Sequence, residues 1–122
     1  MLNLDTYILV AALEGRLRPD ERRLLEDDFW CISDIVLWEM GHLARADRIK
    51  TSLDHPGLRT ALDEMTIWPI TRTIAIAVGS LDFQSDPADE LIAATSLVHQ
   101  VPLVTRDQRI LGSKLVPLAL YR

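Results

Sequence analysis

A single cysteine, Cys31, among 122 residues rules out an internal disulfide, and its setting between Trp30 and Ile32 in an expected strand marks it as a small core residue. The chain also lacks any apolar stretch of the roughly 18 residues that a membrane-spanning helix requires. Its N-terminus lacks the basic region and long apolar run of a secretory signal, so a cytoplasmic protein with no membrane contact is expected. Positive charge is in deficit: 13 Lys and Arg stand against 18 Asp and Glu, a net charge of −5, which argues against coating nucleic acid through a broad basic face. Repeats, linkers and low-complexity tracts are missing. With 48% hydrophobic residues the chain is expected to be one folded domain, residues 1–122, around a single core.

Extended apolar runs alternate with helical patterns, the order expected of an α/β domain with a mostly parallel sheet of four to five strands between helices. The expected strands are about Met1 to Asp5, Trp30 to Ile32, Ile67 to Pro69, Val101 to Thr105 and an edge strand from Leu115 to Leu118, where Pro117 suits an edge. The expected helices run from Thr6 to Leu13, ending at Gly15; from Pro19-Asp20; and from an N-cap at Ser33 to about Ala46. Others run from Thr71 to Ser80, with Ile74, Ala75 and Val78 on one face, from Ala88 to Val98 behind Asp86 and Pro87, and from Gln108 to Leu111. His55-Pro56-Gly57 breaks the helical region that follows Lys50.

Four acids stand in apolar company. Asp5 and Asp107 close two expected strands, Glu39 interrupts Ile35-Val36-Leu37-Trp38-Glu39-Met40, and Asp89 opens Leu91-Ile92-Ala93-Ala94. Ligands of parallel sheets bind beyond the carboxyl ends of the strands, so these acids are expected at one rim. Taken singly, most have a structural explanation. Asp89 suits a first helical turn, Asp107 a turn start and Asp5 a helix cap, whereas Glu39 in a helix interior has no free amides to compensate it. Taken together they repel: two carboxylates about 4 Å apart cost roughly 4 kcal/mol at an effective dielectric of 20. A cation offsets that cost, and oxygen-only ligands select Mg²⁺ or Mn²⁺ over zinc. His42, His55 and His99 are expected as surface or packing residues, and Trp30, Trp38 and Trp68 as core. Arg45, Arg48 and Lys50 form either a phosphate-contacting rim or a solvated helix end.

Leu4-Asp5-Thr6, Ile32-Ser33-Asp34-Ile35-Val36-Leu37-Trp38-Glu39, Asp86-Pro87-Ala88-Asp89 with Ile92-Ala93-Ala94-Thr95, and Pro102-Leu103-Val104-Thr105-Arg106-Asp107 together resemble the PIN-domain ribonucleases, and within them the VapC-type toxins of bacterial toxin–antitoxin pairs. The resemblance implies a three-layer α/β/α domain and an endoribonuclease whose catalytic and metal-binding acids are Asp5, Glu39, Asp89 and Asp107, holding one or two Mg²⁺ or Mn²⁺ ions. Metal-activated water would cleave RNA to leave a 5′-phosphate and a 3′-hydroxyl. Thr6, Ser33 and Thr105 match the family's hydroxyl positions that support the acids. The implied partners are an RNA substrate, a cognate VapB-like antitoxin and a second copy in a homodimer. Glu90 stands where many members carry arginine, and the segment before Asp86 lacks a histidine often found there. Arg106 suits either a substrate phosphate or an ion pair. The rival readings are a Mg²⁺-binding phosphoacceptor receiver, whose nearest acceptor, Asp54, lies in a loop-like segment, and a catalytically silent PIN-like interaction module.

Overall fold

Among the described residues four short strands form a sheet in which every pairing is parallel, in the order β3-β2-β1-β4: β1 is Leu2–Leu4, β2 Trp30–Ser33, β3 Thr66–Trp68 and β4 Leu103–Val104. The structure, a computed structural model, describes residues 1–119; Leu120, Tyr121 and Arg122, the end of the expected single domain, lie outside the described residues. Strands of a parallel sheet are covered on both faces, and β1 and β4 are accordingly buried along their whole length. Among the described residues seven helices connect and cover the strands: α1 Thr6–Leu13, α2 Pro19–Glu26, α3 Ile35–Arg45, α4 Pro56–Glu64, α5 Arg72–Val78, α6 Pro87–His99 and α7 Gln108–Leu111. None of the described helices is long and apolar enough to cross a membrane.

Local chemistry sets the helix ends. Gly15, at φ 69°, takes the left-handed conformation just past α1, as expected for a glycine in that place. Pro87 occupies the start of α6, where its missing N–H costs no hydrogen bond, and Gln100, at φ 54°, terminates that helix. Helices α1, α3 and α6 contact one another in series, and α5 rests on α6. Leu4, Ile8, Ile32, Met40 and Ile92 belong to one buried hydrophobic cluster, and Cys31 is fully buried as well.

Three expectations are corrected. Ser33 is the last residue of β2, paired with Trp68, and Asp34 starts α3 because it already has helical φ and ψ; the Ser33 hydroxyl accepts the Ile35 N–H at 3.3 Å instead of capping as the first residue. Leu115 to Leu118 does not form a strand but a single bridge between Leu118 and Leu103. The Asp82 carboxylate accepts from the Ser113 hydroxyl and the Lys114 N–H, and the Ser113 hydroxyl accepts from Leu115 and Val116, so these backbone groups are bound in a turn before Pro117, which has no N–H to offer a ladder. On α5 Ile74 is buried, but Ala75 is exposed.

One polar residue sits in the middle of the sheet. Asn3 is fully buried on β1 and donates to the Ser96 hydroxyl at 2.8 Å and the Ile92 carbonyl at 3.3 Å on α6, which fixes that helix against the central strand. Asn3→Ala is expected to destabilise the fold by roughly 2–3 kcal/mol, because it leaves a cavity and strips partners from buried groups. Urea denaturation measures this, and a loss below about 0.5 kcal/mol would contradict the role given to Asn3.

Candidate active site

Asp5 follows β1 and caps α1. Its Oδ1 accepts from the Thr6 N–H at 2.8 Å and its Oδ2 from the Thr105 hydroxyl at 2.6 Å, so residues from both edges of the β1–β4 pair hold one carboxylate. Glu39 projects from the middle of α3, and its Oε1 accepts from the Thr6 hydroxyl. Asp89 lies in the first turn of α6 and accepts from the Ser85 hydroxyl at 3.0 Å. One carboxylate oxygen from each of Asp5, Glu39 and Asp89 lies within 4.8 Å of the other two. Asp5 caps α1, Glu39 lies on α3 and Asp89 on α6, the three helices that pack in series.

Asp107 is not part of this close group. It caps α7, its Oδ1 accepting from the Arg109 and Ile110 N–H groups at 2.8 and 3.2 Å, and it lines the same cleft. Its backbone N–H donates to the Thr105 hydroxyl, so Thr105 links Asp5 to Asp107. Of the three expected hydroxyls, Thr6 and Thr105 bond the acids directly, whereas the Ser33 bond is to Ile35. Arg106 lines the cleft too, but its guanidinium forks onto Glu21 through two 2.7 Å hydrogen bonds, and that carboxylate is buried. Arg106 holds the Glu21 carboxyl below its ordinary value, against the opposing effect of burial. Asp54 is exposed in the loop before α4, bonded to the Ser52 hydroxyl, and does not end a strand.

Several cleft residues were missed in the sequence. Asp86 stands at the N-cap of α6, makes no cap hydrogen bond with its side chain and faces the cleft. Its spacing from Asp89, one helical turn, was the available signal. Ser85 supports Asp89 and gave no signal beyond its proximity. Trp38, expected in the core, is 61% exposed and lines the cleft with Tyr7, His42 and Arg48. The other two tryptophans are half-buried: the Trp30 Nε1–H donates to Leu25, and Trp68 stacks on His99. Glu90 is occupied locally, accepting the Ser85 N–H.

The cleft encloses about 580 Å³. Burial pushes the Asp5 carboxyl up to about 6, the charges of Asp89 and Glu39 push the same way, and the Thr105 and Thr6 hydrogen bonds oppose them. Glu39 is raised by burial and by Asp89 and Asp86, against the Thr6 hydrogen bond and the His42 charge. Asp89 is raised by burial and by Asp107 and Asp86, against Ser85 and Arg109. Three acids raised together are short of positive compensation. Their oxygen-only donor set fits a hard divalent cation and does not suit zinc.

Fold and cleft define a parallel α/β domain that gathers carboxylates beyond its strand ends. The sequence matches the PIN domain over residues 3–112, and the chain belongs to that family. It is 33% identical over 87 residues to Ribonuclease VapC22 of Mycobacterium tuberculosis, a match covering 68% of this chain and 66% of that protein. A toxin–antitoxin complex from Klebsiella pneumoniae contains a similar chain, with a TM-score of 0.71, 25% identity and 92% of each chain covered. VapBC2 from Rickettsia felis, bound to a DNA fragment from its promoter, shares the fold with a TM-score of 0.71 at 20% identity over 100% of both chains.

The raised value of Asp5 fixes the sign of a pH effect. The folded chain holds this proton more tightly than the unfolded chain, so the contribution of Asp5 to stability falls as pH rises from 3.8 to about 6. Above that range Asp5 costs roughly 3 kcal/mol in the absence of a cation. In metal-free buffer at about pH 8, Asp5→Asn is expected to melt at or above the wild type, and the difference is expected to shrink as the pH approaches about 4.5. Differential scanning fluorimetry across that range checks this, and a variant less stable than the wild type at high pH contradicts it.

Proposed function

We propose that this chain is a metal-dependent endoribonuclease acting as the toxin of a type II toxin–antitoxin pair. The observation that carries the reading is the convergence of Asp5, Glu39 and Asp89, all with raised pKa values, within 4.8 Å in an open cleft. These three would hold one or two Mg²⁺ or Mn²⁺ ions, with Asp107 and Asp86 extending the negative rim. Such an ion supplies a nucleophile at neutral pH by acidifying water, and it neutralises charge on phosphate oxygens.

The chain's own groups fix the geometry. Thr105 and the Thr6 amide hold the two oxygens of Asp5, the Thr6 hydroxyl holds Glu39, and Ser85 holds Asp89, so the acids are oriented before any ligand arrives. Arg48 adds a positive charge to the cleft wall, which favours entry of a phosphodiester. The products expected from water attack are a 5′-phosphate and a 3′-hydroxyl. By likeness to the toxin–antitoxin complexes, the chain would bind a VapB-like antitoxin. The family resemblance adds to the same proposal a cleft covered by that antitoxin, a homodimer and a cytoplasmic place of action.

Asp5→Asn is expected to remove Mn²⁺ binding in isothermal titration calorimetry and to lower RNA cleavage by at least about a hundredfold, while circular dichroism stays that of the wild type. Cleavage by this variant at the wild-type rate would refute the proposal. Thr105→Val, which removes a hydroxyl and keeps the shape, is expected to weaken metal affinity or activity about ten- to hundredfold. Unaltered metal titration and turnover would remove Thr105 from the site.

A further inference from the structure

We propose that the stacked pair Trp38 and His42 is a nucleobase platform that seats an unstacked base of single-stranded RNA beside the acidic cleft, an inference that rests on the nuclease reading. On α3 the buried residues Val36, Met40 and Leu43 form the inward stripe, which places Trp38 on the far side of the helix. Trp38 is 61% exposed, and folding does not account for so large an apolar side chain left in water. One turn on, the His42 ring lies nearly parallel to the indole, with centroids 5.5 Å apart and planes inclined by 9°. The imidazole props the indole as a flat plate.

The position of that plate points to its ligand. Trp38 and His42 line the acidic cleft, and the same two rings line a second groove of about 320 Å³ with Leu37, Gly41, Arg45 and Leu53. The pair is thus a ridge shared by two depressions, with the exposed Arg48 on the cleft side and the exposed Arg45 on the other. A single strand crossing the ridge would lay a base on the indole and find a cation for phosphate on each side. Every base offers a π-face, so such seating tolerates many sequences. Bases in an A-form duplex are stacked inside and cannot reach the plate, so the platform selects single strands, loops or bulges. The chain carries net negative charge and an acidic cleft, so cations at the ridge are where an RNA backbone would gain most.

The test uses the full chain, Mg²⁺ or Mn²⁺ and single-stranded oligoribonucleotides of mixed sequence. Trp38→Ala is expected to raise KM about tenfold with kcat changed by less than about threefold, and Trp38→Phe to recover most of the loss. In the Asp5→Asn background, where turnover is removed, fluorescence anisotropy of a labelled strand is expected to show Kd about tenfold weaker when Trp38→Ala is added. If the wild type cleaves RNA while Trp38→Ala keeps its KM and cleavage sites, the platform is overturned and the nuclease reading stands. The same holds if a duplex of equal sequence is cut with an equal KM, or if RNA kinetics are unmoved while binding to a co-expressed antitoxin is lost, which would make the ridge a protein-docking surface. A wild type that cleaves no RNA overturns the nuclease reading itself. Equal Kd values in the two Asp5→Asn backgrounds overturn the platform independently of turnover.

Discussion

Repulsion among Asp5, Glu39 and Asp89 is the constraint around which the molecule is organised. Their oxygens lie within 4.8 Å of one another, and burial adds to the cost of charging each. For Asp5 alone that cost reaches a few kcal/mol at neutral pH, against a total stability of about 5–15 kcal/mol for a domain of this kind. Thr6, Thr105 and Ser85 each donate a hydrogen bond to an acid, so the cluster is held open for a positive ligand rather than collapsed.

The rest of the fold makes this arrangement rigid. Asp5 is tied to the end of β1, Glu39 to the middle of α3 and Asp89 to the start of α6, and those helices are in contact. Asn3 sets α6 against β1 from within the core, while Glu21 and Arg106 fasten α2 to the segment that leads from β4 to Asp107. Burying a charge as deeply as Glu21 is tolerable only with such a partner, and the paired guanidinium is drawn toward α2 while still edging the cleft. The polar groups of the interior thus serve position more than stability.

Much of this architecture was legible in the sequence because strongly local signals wrote it. Alternating apolar runs marked the four parallel strands, Gly15 and Pro87 marked helix boundaries, and acids in apolar surroundings marked the rim. Partnerships between distant residues were not legible. Glu21 reads as an ordinary helix-start acid, and its pairing with Arg106 depends on tertiary placement. Asp86 reads as a cap, and its orientation toward the cleft appears only in three dimensions. Its place within the α3 helix pattern reads Trp38 as core, whereas in the structure the buried stripe of Val36, Met40 and Leu43 lies on the other side of that helix. Residues 115–118 look like a strand, yet Asp82 claims their neighbourhood for a turn.

The hydrogen bond from Thr105 to Asp5 joins residues 100 positions apart, and that from Asn3 to Ser96 spans 93. On a ribosome Asp5 waits without that support until the hundred residues up to Thr105 have been made. Contacts of such long reach also close slowly. A product that stops short of Thr105 therefore carries Asp5 without its partner hydroxyl, and the acidic cleft takes its full form only after that residue has been made.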